Sequence, residues 1–166
     1  MLKIDRHTTL QEFAPYEAHV GESEMARLKA AAVADKFGEA GFYAMTIGDL
    51  TSVVAGDLRP LYDSGGRTVF DAARVKAFET FIEEFVKVLN GLTMPPTVES
   101  VKAQMGTRQH TFSEGLYVFC RDYFGLKSFA EADGLKVSEY VLARKDDFNR
   151  CMVERNAAMM MKGGKA

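Results

Sequence analysis

Tryptophan is absent from this chain of 166 residues, and cysteine, histidine and proline are scarce, at two, three and four. Each scarcity closes a route. Cys120 and Cys151 lie far apart with no CxxC or Cys/His spacing around them. That excludes a disulfide scaffold and reads as two buried or half-buried thiols. His7, His19 and His110 have no second ligand at HxxxH or ExxH spacing, so they read as surface or cap histidines and no metal site is assigned. Surplus positive charge is missing too. With 21 Lys and Arg against 23 Asp and Glu, binding to a phosphate backbone would have to rest on a local patch. No apolar run approaches the roughly 18 to 20 residues that span a bilayer, and "MLKIDRHTTLQEF" has no apolar signal region. The expectation is a cytoplasmic protein without a membrane partner.

Catalytic signatures are equally sparse. There is no GxSxG elbow. "YDSGGR", Tyr62 to Arg67, lacks the GxxxxGK[ST] spacing of a phosphate loop. Neighbouring carboxylates such as Glu83 with Glu84 and Asp146 with Asp147 diverge by about 100° around a helix, so they read as solvated faces. "RQH", Arg108 to His110, is a polar loop able to meet an anion and nothing more specific. No catalytic, cofactor-binding or metal residue follows from these patterns, and no enzyme is expected.

What is present is a core and its punctuation. Hydrophobic residues make up 47% of the chain and include 12 Phe, enough for one continuous core. Four stretches place a hydroxyl three residues before an acid: Thr46/Asp49, Thr68/Asp71, Thr111/Glu114 and Ser128/Glu131. This is helix N-cap spacing, a full capping box where the acid is Glu and a weaker one with Asp. Gly38, Gly56, Gly91, Gly106, Gly125 and Gly134 follow apolar segments and suit the left-handed residue that closes a helix.

Between these marks the apolar period is helical. Val75, Phe78, Phe81, Ile82, Phe85 and Leu89 form one face of a central helix over about Val69 to Asn90, with Arg74, Lys76, Glu83, Glu84 and Lys87 away from it. Met25, Leu28, Ala32 and Val33 offer a close-packing face on an Ala-rich helix over Ser23 to Phe37. Shorter helices are expected at Ile47 to Ala55, Val98 to Met105, Phe112 to Phe124 and Phe129 to Asp133. "GFYAM", Gly41 to Met45, is the one strand-like stretch, too short to count. The fold class predicted is all-α, a single-domain bundle of six or seven helices with a long C-terminal helix. The domain covers 1–162, with an N-terminal half to about 91, a stiff "LTMPPT" connector at 92–97 and a C-terminal half at 98–162. Residues 163–166 are expected to be disordered.

The last helix, Ser138 to about Met161, keeps only a narrow seam of Val141, Phe148, Met152 and Met159, while "AAMMMK" is apolar nearly all round. Such a helix protrudes and offers adaptable thioether side chains to a partner. Phe148, Met152, Met159 and Met160 are the expected anchors.

"SFAEADGLKVSEYVLARKDDF", 128 to 148, resembles helix-turn-helix motifs over about 20 residues. That resemblance implies Ala130 packed under a second helix, Gly134 at the turn and Ser138 opening a recognition helix. Leu135 and Val141 would lie inside, with Lys136, Glu139, Leu142 and Lys145 facing a groove; DNA contacts would come from Lys136, Ser138, Arg144 and Lys145. Asp133, Glu139 and Tyr140 depart from the pattern. More broadly, "MTIGDLTSVVAGDLRPLYD", the central helix and "FGLKSFAEADGLKVSEYVLARKDDF" together resemble small helical structural and assembly proteins of tailed bacteriophages. This resemblance implies a connector, head or tail component or assembly chaperone, placed in host cytoplasm or virion. The reading is a non-catalytic protein that binds other protein subunits as a homo-oligomer or larger assembly. The alternative is a DNA-binding regulator, and a Phe-lined ligand space is a third option.

Overall fold

The computed structural model describes residues 19–62, 68–97, 101–102, 104 and 109–163. It contains α1 (Glu22–Phe37), α2 (Ile47–Val54), α3 (Val69–Gly91), α4 (Phe112–Phe124), α5 (Phe129–Asp133) and α6 (Val137–Gly163). Two 3-10 segments, Gly38–Ala44 and Arg59–Leu61, flank α2. The all-α class with a long C-terminal helix is therefore what the chain adopts, and α4 and α5 have the bounds read from sequence. An isolated bridge pairs Thr46 with Lys136. His7, most of the Tyr62 to Arg67 loop, Gly106, Arg108 and residues 164–166 lie outside the described residues. So does most of the helix expected at Val98 to Met105, of which Val101, Lys102 and Gln104 are helical.

Capping follows the spacing at three of the four signatures. Thr46 Oγ1 accepts from Asp49 N at 3.1 Å. Thr111 and Glu114 exchange both bonds, at 3.3 and 2.8 Å. Thr68 and Asp71 also exchange both, at 3.4 and 2.9 Å. Asp71 completes its box with both bonds slightly longer than those of Glu114, its carboxylate also fixed by burial and a neighbouring guanidinium. Ser128, before a glutamate, makes no side-chain cap bond. Glu131 instead accepts from Lys127 N at 3.2 Å and from the Ser128 hydroxyl at 3.4 Å.

Two glycines shape the path. Gly125, at φ 65°, closes α4 in the left-handed conformation, as expected. Gly41, at φ 56°, bends the 3-10 segment where a strand had been conceivable and delivers Phe42 into the core. Gly134 departs from expectation with φ −80°, so α5 ends without a left-handed residue; Leu135 N bonds to Ala132 O at 3.1 Å instead. Gly91 likewise stays within α3, with no positive φ.

The expected face of α3 is the face that is buried. Phe78, Phe81 and Phe85 sit in a cluster that continues across the connector into Leu116, Cys120, Val137, Tyr140 and Val141, so both halves share one core. Aromatic rings run through it in sequence: Phe42 meets Phe78 edge-on at 5.4 Å, Phe81 stacks on Phe85 at 5.5 Å, and Phe85 touches Phe112 and Tyr140. Such pairs add about 0.5–1.5 kcal/mol each beyond area burial. Met25 and Leu28 of α1 pack on Val69 and Ala72, and Ala32 is fully buried.

Arg74 corrects the helix-period reading. Instead of lying on the polar side of α3 it is fully buried, because α1 and the Arg59–Leu61 turn close over that side. Its guanidinium replaces water with protein oxygens: Nε donates to Ala32 O at 2.6 Å, and Nη1 to Leu61 O and to Asp71 Oδ1, both at 3.0 Å. Asp35 on α1 lies 3.7 Å from Nη2. Removing one partner of such a buried pair leaves the other uncompensated. Arg74→Ala should therefore lower stability by about 3–5 kcal/mol in urea unfolding.

Burial also pushes the Tyr140 phenol up to about 12. The fold thus favours the neutral form; its contribution is complete below the ordinary value of 10 and is lost as pH rises toward 12. Tyr140→Phe should remove a fall of order 2 kcal/mol from the alkaline limb of a stability–pH curve measured by urea titration.

Candidate functional site

The corner between α5 and α6 is fastened to α2. Ile47 N donates to Leu135 O at 2.7 Å and Val137 N to Met45 O at 2.9 Å, on either side of the Thr46–Lys136 bridge. The positive N-terminal ends of α2 and α6 therefore start side by side. Carboxylates meet that charge, with Asp49 in the first turn of α2 and Glu139 accepting from Lys136 N at 2.7 Å. Tyr117 of α4 bridges the same corner, donating to Asp133 Oδ1 at 2.5 Å and pairing with Thr51 Oγ1 at 3.0 Å. Burial pushes the Tyr117 phenol above its ordinary value, and the hydrogen bond to Asp133 adds to the rise. Gly48 allows the close approach: a Cβ there would lie 3.1 Å from Asp133 Cβ and 3.2 Å from its carbonyl oxygen.

The small residue under α6 is Ala132, fully buried, whereas Ala130 is exposed. Lys136, Ser138 and Lys145 are exposed, but Arg144 is directed elsewhere. Its guanidinium lies over Phe119 with Cζ 4.7 Å from the ring centroid, and Nη2 reaches Thr93 Oγ1 at 3.4 Å. The exposed side of α6 thus carries Lys136 and Lys145 together with Glu139, Leu142 and Asp146. Leu142, which the helix-turn-helix resemblance places facing a groove, is 69% exposed.

A groove of about 370 Å³ runs between α4 and α6, lined by His110, Phe119, Tyr123, Arg144, Asp147 and Arg150 among others. Its charges are largely matched within the fold. Arg150 Nη2 donates to Asp147 Oδ1 at 2.5 Å and Tyr123 Oη to Asp146 Oδ2 at 2.6 Å. The Asp146 bond holds the Tyr123 phenol above its usual value.

Beyond this groove α6 leaves the body. The helix packs on the Gly38–Ala44 segment and on α4 through its N-terminal part. Val137, Tyr140, Val141 and Ala143 are buried, Phe148 and Met152 are half-buried, and every residue from Val153 to Met161 is exposed. The four expected anchors therefore divide: Phe148 and Met152 mark the edge of the body, while Met159 and Met160 stand in solvent at 55% and 78% exposure. Val153 and Met161 extend the exposed apolar surface. At 27 residues the helix is about 40 Å long. No helix among the described residues is long and apolar enough to cross a membrane.

The two cysteines mark these regimes. Cys120 is fully buried, and burial pushes its thiol up to about 11, whereas Cys151 is partly exposed at the point of departure. Iodoacetamide should alkylate Cys151 in the folded protein at least about tenfold faster than Cys120, which should react only on unfolding; peptide mass mapping over time checks this.

Comparison with known proteins places the chain in no family: no family model, no curated protein and no solved structure matches it.

Proposed function

We propose that this protein is a non-catalytic assembly component that docks to other protein subunits through the free end of α6. One observation carries the reading: a helix begun inside the core continues for about two and a half turns in which every residue from Val153 to Met161 is exposed, and it displays three consecutive methionines there. Methionine's unbranched thioether suits irregular apolar surfaces, and an apolar helix end laid into a groove is a common recognition mode. Met159 and Met160 are the anchors, while Phe148 and Met152 fix the angle at which the helix leaves. The likeness to helical assembly proteins of tailed bacteriophages supports the same reading.

The DNA-reading alternative is less well served by this geometry. Its face of α6 mixes Lys136 and Lys145 with Glu139 and Asp146, and Arg144 is drawn away onto Phe119. Counterion release needs clustered cations rather than alternating signs.

Native mass spectrometry of the full chain beside a chain ended after Arg150 tests the proposal. The full chain should give a defined oligomer free of nucleic acid, and the shortened chain a monomer. Met159→Lys/Met160→Lys, which leaves the packed part of α6 intact, should behave like the truncation. Assembly that survives both changes would sink the reading, and dimers carrying DNA would transfer it to the α5–α6 corner.

A further inference from the structure

The exposed helix end has a counterpart elsewhere on the same molecule. Between α2 and α3 lies an open depression of about 390 Å³. Its walls are Val54, Leu58, Val75, Phe78 and Ile82, and Glu79 stands at its rim. Glu83, one turn further along α3, is also exposed. The depression is apolar at its floor and acidic at its edge, and its volume falls in the range of pockets that bury a compact apolar group.

The charge of the chain is divided to match. Arg150 is already paired with Asp147, and from Cys151 onward Arg155, Lys162 and Lys165 are opposed only by Glu154, a surplus of two positive charges. The whole chain carries −2, so the part up to Arg150 carries −4. A basic helix end bearing methionines and an acidic body bearing an apolar groove are complementary in both respects.

Resting on the assembly reading above, we propose that the occupant of this groove is a second copy of the chain: Met159, Met160 and Met161 of one copy seat between α2 and α3 of the next. Arg155 then comes to the Glu79 and Glu83 rim. The two surfaces in this contact are different, so the interface is head-to-tail, and repetition of it produces a closed ring or an open filament. Each link is small. Assembly is therefore concentration-dependent, and added salt weakens it by screening the charged rim.

Because the interface joins unlike surfaces, it can be tested by complementation. Val54→Lys places a cation in the groove, and Met160→Lys places one on the helix end; both sites are exposed, so the fold is retained. In sedimentation velocity over a dilution series, the unmodified chain should grow beyond dimer. Each variant alone should remain monomeric. An equimolar mixture should form heterodimers that grow no further, because each has one intact junction and no intact ends left. Continued self-association of Val54→Lys, with Met160→Lys monomeric, would overturn the inference in favour of helix ends pairing with each other, while leaving the assembly reading standing. A monomeric unmodified chain at every concentration would overturn the second copy as occupant. Association unaffected by either substitution would overturn both readings.

Discussion

The buried pairing of Arg74 with Asp71 is the constraint on which the N-terminal half is organised. One guanidinium reaches the carbonyls of Ala32 in α1 and Leu61 in the second 3-10 turn, as well as the carboxylate on its own helix. That carboxylate is also the capping acid of α3. The start of the central helix, the seat of α1 and the path of the intervening turn are thus joined at one charged point. Polar groups at such a site must be satisfied together, which makes the arrangement specific in a way that interchangeable apolar contacts are not. The aromatic side of α3 then fixes the other half through Phe85, whose ring meets Phe112 and Tyr140.

Much of this was legible in the sequence where the physics is local. The apolar period of α3, the hydroxyl–acid spacing at three helix starts and the bounds of α4 and α5 all depend on residues a few positions apart. What escaped depends on chain segments brought together from a distance. Nothing near Arg74 announces that two carbonyls from elsewhere will replace its water. The bridge from Met45–Ile47 to Leu135–Val137 joins segments some 90 residues apart, and its sequence signal is nil. The same holds for the groove between α2 and α3, whose lining residues each look like ordinary core positions. The exposed end of α6 was readable because its charge and its methionines break the period within one short stretch.

The corner and the helix end divide the labour of α6. At its N-terminus the helix is held by backbone bonds to α2, by the Tyr117–Asp133 contact and by buried Tyr140 and Val141. At its C-terminus none of these restraints is present among the described residues. The direction of the free end is accordingly set far from where it would act, and a change at Gly48 or Asp133 would be felt as a change of aim at Met160.

The free end of α6 also draws its order from the buried part. A separate peptide of that length would be mostly uncoiled in water, because starting a helix fixes several residues for a single hydrogen bond. Here the first turns are already wound inside the core, so each further residue adds one bond to an existing template. On the proposed assembly reading, a partner meeting Met159 to Met161 would find the segment already in helical form and would not have to supply the free energy of nucleation, which would shorten the search for the productive shape on encounter.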